Sequence, residues 1–336
     1  MYRRNTELRV IDRVNFALTN GALGDMITSL AAIIWARQDH HPDLKMVLWV
    51  HGPQIELVRH LLAPYGEFED VRPISDLDRA LNEKDQRFAG SFALNCVQPH
   101  VITRNRMDMV DFAHATLLDR LPRDDFERSY PTAAPLGPRP ERAPARYAVV
   151  PVGGTSENKM FRGPVLEGVL RGLLARGLRP VITGKSSTEV KVSDLSGKWI
   201  DLQVKNEFDA VAPEVRAQCL DLRDRLTLLE LRDWCGYANV VLGMDGGTLH
   251  LAGTTPAPIV YGCTQVAPEH RPIVREGRRN WRVKHITPRN LECTGCQSNW
   301  TLMFKHDFRQ CLYKDFACTH QMHADDFLAA VDEIAV

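Results

Sequence analysis

The sequence predicts an α/β protein with two doubly wound domains. Apolar strands alternate with amphipathic helices along the chain, and this alternation restarts after a proline-rich stretch near the middle. Alternating strands and helices imply a parallel sheet that helices cover on both faces. The length of 336 residues exceeds the size at which one core is usual, so one such sheet is expected in each half.

The first half begins with a strand, a glycine turn and a helix. Residues 14–20 read VNFALTN, residues 21–25 form the turn, and residues 26–38 have apolar side chains at helical spacing. The apolar face of this helix comprises Ile27, Leu30, Ala31, Ile34 and Trp35. The elements predicted after it are a strand at 45–51, a helix at 54–62, a strand at 92–97 and a helix at 114–121.

Five prolines between Tyr130 and Arg146 argue against a helix or a sheet interior, so this stretch is interpreted as a linker. The predicted segments are an N-terminal domain at 1–130, the linker at 131–146, a second domain at 147–290, and a four-cysteine metal finger with a C-terminal helix at 291–336. The elements predicted in the second domain are strands at 147–152, 180–183, 240–242 and 257–261 and helices at 164–175 and 227–237.

A phosphate-binding pattern runs from Asn239 to Pro258 and reads NVVLGMDGGTLHLAGTTPAP. Its apolar run stops at Gly243, an aspartate follows, and two glycines lead into a short helix. Amides at such a helix start lack helical partners and lie at the positive end of the dipole, where a phosphate would bind. These amides belong to Gly246, Gly247 and Thr248. The alternative is a tight turn in which Asp245 caps the helix.

Ligands of doubly wound sheets lie beyond the carboxyl ends of the strands. Asp25, residues 154–159 and residues 245–250 each come at or shortly after the end of a predicted strand. We therefore expect these three segments to face one crevice between the domains.

Composition argues against membrane and nucleic-acid proteins. The 42 Lys and Arg residues balance the 42 Asp and Glu residues, and no apolar run approaches the roughly 20 residues of a spanning helix. The N-terminus has no apolar signal segment, so a cytoplasmic protein without disulfides is expected. A basic run at 271–289, with seven Lys or Arg residues and one acid, is interpreted as solvated surface. Its alternative is a contact surface for an anionic acceptor or a partner subunit.

Three blocks together resemble the family 9 glycosyltransferases, the ADP-heptose:lipopolysaccharide heptosyltransferase group. They read GALGDMITSLAA, PVGGTSENKMF and LTLLELRDWCGYANVVLGMDGGTLHLAGTTPAPIVYGCT. The resemblance implies a GT-B fold, in which two Rossmann-like domains face a central cleft, the first binding the acceptor and the second the nucleotide sugar. It further implies inverting transfer of a sugar, by default heptose from ADP-heptose, to an acceptor hydroxyl without a catalytic metal.

The resemblance also implies roles for single residues. Asp25, after Gly24, matches the general base that takes the proton of the acceptor hydroxyl, with a helix cap as its alternative role. Lys159 matches the lysine that neutralises the leaving diphosphate, with a solvated surface lysine as the alternative. The residues that match the nucleotide-sugar segment are Asp245, Gly246, Gly247, Thr248 and His250, with Gly246 in place of a family Ser or Thr. Thr155 and Ser156, beside a glycine turn, are further candidates for the diphosphate.

Four cysteines near the C-terminus have the spacing of a metal site. Cys293 and Cys296 form a C-x2-C pair, and Cys311 and Cys318 follow. In a chain without a secretion signal this spacing predicts a structural metal on four thiolates, either iron or zinc. The run resembles the iron-bearing finger of the autotransporter heptosyltransferases, a branch of the same family. Further candidate ligands are His320 and His323, whereas Cys96, Cys219, Cys235 and Cys263 are interpreted as buried thiols and Asp76-Leu77-Asp78 as solvated surface.

The sequence leaves alternatives for the acceptor, for the activity and for the oligomeric state. The acceptor is either a lipopolysaccharide core sugar or a protein Ser or Thr, and the cysteine segment favours the protein. A catalytically silent nucleotide-sugar binding or assembly protein would suit the departures from the family motifs, and a nucleotide-sugar epimerase would have the same architecture. A homo-oligomer is also open, whereas nothing beyond the basic run indicates nucleic-acid binding.

Overall fold

The computed structural model describes residues 13–18, 22–40, 45–66, 68, 70–76, 91–94, 107–118, 120–154, 156–193, 199–289, 291–298, 311 and 315–335. Its internal contacts divide the chain into two units. Unit 1 comprises Met1–Leu136 and Ile273–Trp281, and unit 2 comprises Gly137–Pro272 and Arg282–Val336. The first division falls inside the proline-rich stretch. Residues 273–281, which the sequence placed in the second domain, group with unit 1.

Helices and strands alternate along much of both units, as the sequence predicted, although residues 179–205 contribute three strands and residues 259–286 four strands with no α-helix among the residues described there. The helices are α1 (Leu23–Trp35), α2 (Ile55–Leu62), α3 (Met109–Leu118), α4 (Gly163–Ala175), α5 (Pro213–Arg216), α6 (Leu228–Gly236), α7 (Gly247–Ala252), α8 (Ala317–His320) and α9 (Ala324–Ile334). The strands are β1 (Arg13–Leu18), β2 (Lys45–Val50), β3 (Asp70–Pro73), β4 (Ser91–Leu94), β5 (Tyr147–Pro151), β6 (Arg179–Thr183), β7 (Ser187–Ser193), β8 (Trp199–Lys205), β9 (Leu220–Asp221), β10 (Val240–Met244), β11 (Ile259–Gly262), β12 (Val274–Arg275), β13 (Arg278–Arg279) and β14 (Val283–Ile286).

Unit 1 contains a parallel sheet in the order β3-β2-β1-β4. The chain runs outwards from β1 to β2 and β3 and then returns to the other side of β1 as β4. This reversal creates a topological switch point between β1 and β4, where doubly wound sheets open a crevice. Ala17, Val47 and Trp49 pack together and are each at most 5% exposed, so the predicted apolar strands do form core.

Helix α1 begins earlier than predicted. It starts at Leu23, with Ala22 in extended backbone as its N-cap and no side-chain cap. Gly24 and Asp25 therefore lie inside the first helical turn, and the alternative that Asp25 caps the helix is wrong. Ile27, Leu30 and other members of the predicted apolar face are buried.

Unit 2 contains a six-stranded parallel sheet in the order β14-β11-β10-β5-β6-β9. The chain winds from β5 through β6 to β9, returns to pair with β5 as β10, and winds the other way through β11 to β14. This is the doubly wound order of a Rossmann-like domain, with its switch point between β5 and β10. The predicted α/β class with parallel sheets is confirmed.

Two glycines set how closely the elements of unit 2 approach. Gly243 lies inside β10 rather than at its end, which corrects the predicted end of the strand, and a Cβ there would lie 2.7 Å from Pro151 Cγ. At Gly172 in α4 a Cβ would lie 2.1 Å from Leu328 Cδ1 of α9. Helix α9 can therefore bury Leu328 and Phe327 against α4 and the sheet, in the same core cluster.

Candidate functional site

Two loops of unit 2 begin at the carboxyl ends of β5 and β10. The first loop leads from β5 to a short 3-10 turn at Glu157–Lys159, and the second consists of Asp245 and Gly246 between β10 and α7. Because β5 and β10 are parallel neighbours at the switch point, both loops lie where such a domain binds a ligand. Lys159 and Asp245, both selected from the sequence, are in contact here.

Asp245 is the centre of an ion-pair network. Its side chain is 4% exposed, and Lys159 Nζ lies 3.0 Å from its Oδ2. Arg271 Nε lies 3.7 Å from its Oδ1, and the Tyr261 hydroxyl donates a hydrogen bond to the same oxygen. The backbone amide of Asp245 donates to the carbonyl of Gly262 at 2.8 Å, which fixes the residue to the end of β11.

The two cations keep Asp245 ionised. Burial by itself would raise the pKa of its carboxyl group, but the charges of Lys159 and Arg271 outweigh burial and hold that pKa below its usual range. The Lys159 and Arg271 side chains are 20% and 11% exposed, so both cations remain partly accessible. Asp245 thus holds two cations in fixed positions, where an incoming phosphate can share them without reorganisation.

His250 is buried and contacts the ion-pair network through Tyr261. Its Nε2 lies 3.1 Å from the Tyr261 hydroxyl, and burial lowers its pKa to about 4, so the imidazole is neutral at neutral pH. Tyr261 directs its one hydroxyl proton to Asp245, so its oxygen accepts a hydrogen bond from His250 Nε2. In this structure His250 therefore orients Asp245 through Tyr261. Its predicted contact with the nucleotide sugar stays a prediction.

The start of α7 differs from the predicted cap. Gly246 is the N-cap, its φ of −174° is extended backbone, and the helix has no side-chain cap. The alternative in which Asp245 caps the helix is therefore wrong, because its carboxylate faces Lys159 and Tyr261 instead. Gly247 and Thr248 open the helix and are partly exposed. Their contacts with a diphosphate stay predictions.

The loop before Lys159 is held by its own side chains. Ser156 Oγ donates to Asn158 Oδ1 at 2.5 Å, and the amide of Lys159 donates to the carbonyl of Ser156 at 3.1 Å. Ser156 and Asn158 are each 3% exposed. The role of Ser156 as a diphosphate ligand stays a prediction, although its hydroxyl proton is already donated inside the loop. Thr155 lies outside the described residues.

Asp25 belongs to unit 1. It follows β1 at the switch point of the first sheet, in the first turn of α1, and is partly exposed. Its carbonyl accepts hydrogen bonds from Thr28 Oγ1 at 2.9 Å and Ser29 Oγ at 2.7 Å, which fix the turn. The position suits a base at the carboxyl end of a strand, and the predicted crevice and base role stay predictions.

The structure does not confirm the predicted four-cysteine metal site. Among the residues that the structure describes, no group of three or more His, Cys, Asp or Glu side chains is arranged to hold a metal ion. Burial raises the pKa of the Cys296 thiol to about 11 and that of Cys318 to about 12.

Two arginines of the basic run at 271–289 are not solvated surface residues, contrary to the interpretation of the sequence. Arg271 contacts Asp245, and Arg275 is 1% exposed, so that interpretation is wrong for both. Tyr261 was also missed because it occupies an apolar strand. The sequence signal for both residues is their position: Tyr261 ends the predicted strand 257–261, and Arg271 lies in the segment after it. The structure adds that this strand lies beside β10.

No helix in the described part of the chain has the length and apolarity that a membrane crossing requires. No protein-family model and no curated protein matches the chain.

Solved structures do match it. The iron-containing dodecameric glycosyltransferase TibC from enterotoxigenic E. coli H10407 matches with a TM-score of 0.66 and 14% identity, over 96% of this chain and 76% of TibC. The E. coli ADP-heptose lipopolysaccharide heptosyltransferase II matches with a TM-score of 0.59 and 13% identity, over 95% and 99% of the two chains. A family 9 glycosyltransferase from Veillonella parvula DSM 2008 matches with a TM-score of 0.58 and 12% identity, over 96% and 97%. At these identities the likeness establishes the fold, and the chain is folded as the family 9 glycosyltransferases are.

Proposed function

We propose that the protein is a glycosyltransferase that moves a sugar, heptose from ADP-heptose in the first instance, from a nucleoside diphosphate to an acceptor hydroxyl. The observation that carries this proposal is the pair of cations, Lys159 and Arg271, held around buried Asp245 at the switch point of unit 2. Two solved structures of the same fold are described with ADP-heptose or ADP bound, which agrees with a nucleotide-sugar donor.

The chemistry of the site suits a diphosphate leaving group. As the bond between the anomeric carbon and the phosphate oxygen breaks, negative charge grows on the nucleoside diphosphate. Lys159 would neutralise that charge, with Arg271 as a second cation, and its contact with Asp245 at 3.0 Å and its partial exposure support this proposed role. The amides of Gly246, Gly247 and Thr248 at the start of α7 add donors to the same region.

Asp25 is the proposed general base. It takes the proton of the acceptor hydroxyl as the oxygen attacks the anomeric carbon, and the nucleoside diphosphate departs from the opposite face, so the anomeric configuration inverts. A carboxylate suits this role because it is ionised at neutral pH.

A transfer assay with a matched pair of aspartate variants tests this function. Wild type and Asp25→Asn are incubated with a panel of nucleotide sugars and with lipopolysaccharide-core and protein acceptors, and products are identified by mass spectrometry. Wild type is expected to release the nucleoside diphosphate and glycosylate an acceptor, and Asp25→Asn to lower kcat by about 100-fold or more. Asp76→Asn, in a 3-10 turn of the same unit, is the control and should retain full activity.

Two outcomes contradict the proposal. Donor binding without turnover in wild type, unchanged in Asp25→Asn, indicates a silent binding protein. Conversion of the donor to another sugar nucleotide with no acceptor present indicates an epimerase.

We further propose that Cys293, Cys296, Cys311 and Cys318 bind one structural iron or zinc ion. The donor type fits, since four cysteines lie close together in the sequence and thiolates are ligands that both metals accept. A bound metal would convert thiols with raised pKa values into thiolates and close the segment as a rigid unit. TibC, which has the same fold, is described as iron-containing.

Elemental analysis of the purified protein tests the metal. We expect one iron or zinc per chain in wild type and in Cys219→Ser, which alters a buried thiol elsewhere in unit 2, and loss of the metal in Cys296→Ser. Neither metal in freshly purified wild type would contradict the proposal.

A further inference from the structure

The segment that carries the first two cysteines docks on the loop after β11. The amide of Gly295 donates to the carbonyl of Thr264, and the amide of Gln297 donates to the carbonyl of Gln265, each at 2.8 Å. One residue farther along, Ser298 Oγ accepts a hydrogen bond from the amide of Ala267 at 2.9 Å. The segment therefore runs along this loop and satisfies its backbone groups.

The same two loop residues hold the residue before Lys159. Thr264 Oγ1 donates to the carbonyl of Asn158, and Asn158 Nδ2 donates to Gln265 Oε1. Thr264, Gln265 and Asn158 are 1%, 2% and 3% exposed, so these contacts are shielded from water. Because buried polar groups are costly to leave unpaired, this network fixes the backbone of the 3-10 turn that ends at Lys159.

The last cysteine reaches the same turn from another direction. Cys318 lies in α8, and its neighbour Thr319 accepts a hydrogen bond from Arg162 Nε at 3.0 Å. Arg162 also pairs with Glu157 of the turn at 3.0 Å. The cysteine segment is thus connected to both ends of Glu157–Lys159, through Thr264 and Gln265 at one end and through Arg162 at the other.

We infer that Asn158, Thr264 and Gln265 are positioning residues that couple the folded state of the cysteine segment to the position of Lys159. Displacement of that segment would release Thr264 and Gln265, free the turn, and let Lys159 leave Asp245. The cysteine segment therefore supports the donor site as well as its own fold. The expected effect on nucleotide binding rests on the proposed function. The effect on the position of Lys159 does not, because the contacts that hold Lys159 exist whatever the protein binds.

The test uses Thr264→Val, which removes the hydroxyl at nearly constant volume, and Thr264→Ser, which keeps the hydroxyl, both in the full chain. The first readout is the acylation rate of Lys159 by an amine-reactive reagent, measured by mass spectrometry relative to exposed Lys284. Thr264→Val and Cys296→Ser are expected to raise the Lys159 rate severalfold, while Thr264→Ser leaves it at the wild-type rate. Circular dichroism confirms that each variant is folded.

The second readout is the Kd for ADP by calorimetry. We expect Thr264→Val to weaken ADP binding by about tenfold, because such a change in Kd corresponds to the loss of roughly one charge-assisted contact. Thr264→Ser is expected to bind ADP as wild type does. In a Lys159→Met background Thr264→Val should have no further effect, because its action passes through Lys159.

Lys159 acylation at the wild-type rate in both Thr264→Val and Cys296→Ser would overturn the inference. An equal loss of ADP affinity with and without Lys159 would overturn it too. If wild type does not bind ADP, the proposed function is contradicted, and the acylation rates still decide the positioning role.

Discussion

Replacement of Lys159 by methionine tests the ion pair at the centre of the site. The substitution keeps most of the length of the side chain and removes its charge, so among the described residues the Asp245 carboxylate retains Arg271 at 3.7 Å and the Tyr261 hydroxyl. Asp245 is 4% exposed, so water solvates the stranded carboxylate less well than Lys159 pairs with it. The variant is therefore expected to lower the free energy of unfolding of unit 2.

The magnitude follows from the distance and the burial. Two unit charges 3.0 Å apart attract by about 5 kcal/mol at an effective dielectric constant of about 20. Loss of one partner of a buried pair costs about 3–5 kcal/mol, and the remaining cation places Lys159→Met near the lower end, at about 3 kcal/mol. Domain stabilities of about 5–15 kcal/mol leave the variant folded.

The assay is urea unfolding followed by circular dichroism, with an unchanged m-value as the condition for comparison. Hydrogen exchange of β5 and β10 peptides reports unit 2 itself, because a chain of two units need not unfold in one step. Lys284→Met is the matched control. Its pair with Glu333 has side chains 46% and 56% exposed, so its loss should cost at most about 1 kcal/mol.

A double-mutant cycle separates the ion pair from packing. Asp245→Asn combined with Lys159→Met removes the stranded charge, so the double variant should be about 2 kcal/mol more stable than the sum of the single effects predicts. Strict additivity, or a Lys159→Met variant as stable as Lys284→Met, would refute the buried ion pair.

Three further predictions concern other residues of unit 2. Between pH 6.5 and about 4 the unfolded chain binds a proton at His250 that the folded chain excludes, so stability should fall as pH falls, by up to about 3 kcal/mol. His250→Gln should flatten this part of the pH profile of the unfolding free energy, whereas an unchanged profile contradicts the buried neutral imidazole. Gly172→Ala should destabilise unit 2 by about 1–2 kcal/mol in urea unfolding, because the new methyl group would meet Leu328. This loss outweighs the gain of about 1 kcal/mol that alanine brings to a helix, and a stabilised variant contradicts this packing. Gly246→Ser should be nearly neutral in the same assay, since a Cβ there meets no atom closer than 3.5 Å, and a loss above about 1 kcal/mol counts against the extended N-cap.

Much of the fold followed from periodicity. The strands around Phe16, Leu48, Val150 and Leu242 were predicted because each lies in an apolar stretch that a glycine follows, and all four side chains are buried. Strand ends were less accurate where a glycine had a packing role. Gly243 was interpreted as the residue that ends the strand, but it lies inside β10. A glycine is needed at this position because Pro151 of the neighbouring strand leaves no space for a side chain.

Site residues were predictable from the sequence where both the residue type and its position after a strand indicated a ligand-binding role. Lys159 and Asp245 each follow a strand of the doubly wound pattern, and the structure brings them into contact. Tyr261 and Arg271 were not predicted, because their roles depend on which strand pairs with β10, and strand order is a property of the tertiary fold. The same reason hid Thr264, whose contact with Asn158 joins residues 106 positions apart.

Calorimetric titration of ADP and ADP-heptose into wild type and Lys159→Met tests the central claim most directly. Both ligands are expected to bind wild type at one site per chain, and Lys159→Met is expected to weaken both by about tenfold or more, since a charge-assisted contact with the diphosphate is lost. Lys284→Met should bind both as wild type does. Failure of wild type to bind either ligand at millimolar concentration, or equal affinity in wild type and Lys159→Met, would contradict the assignment of this site to a nucleotide-sugar donor.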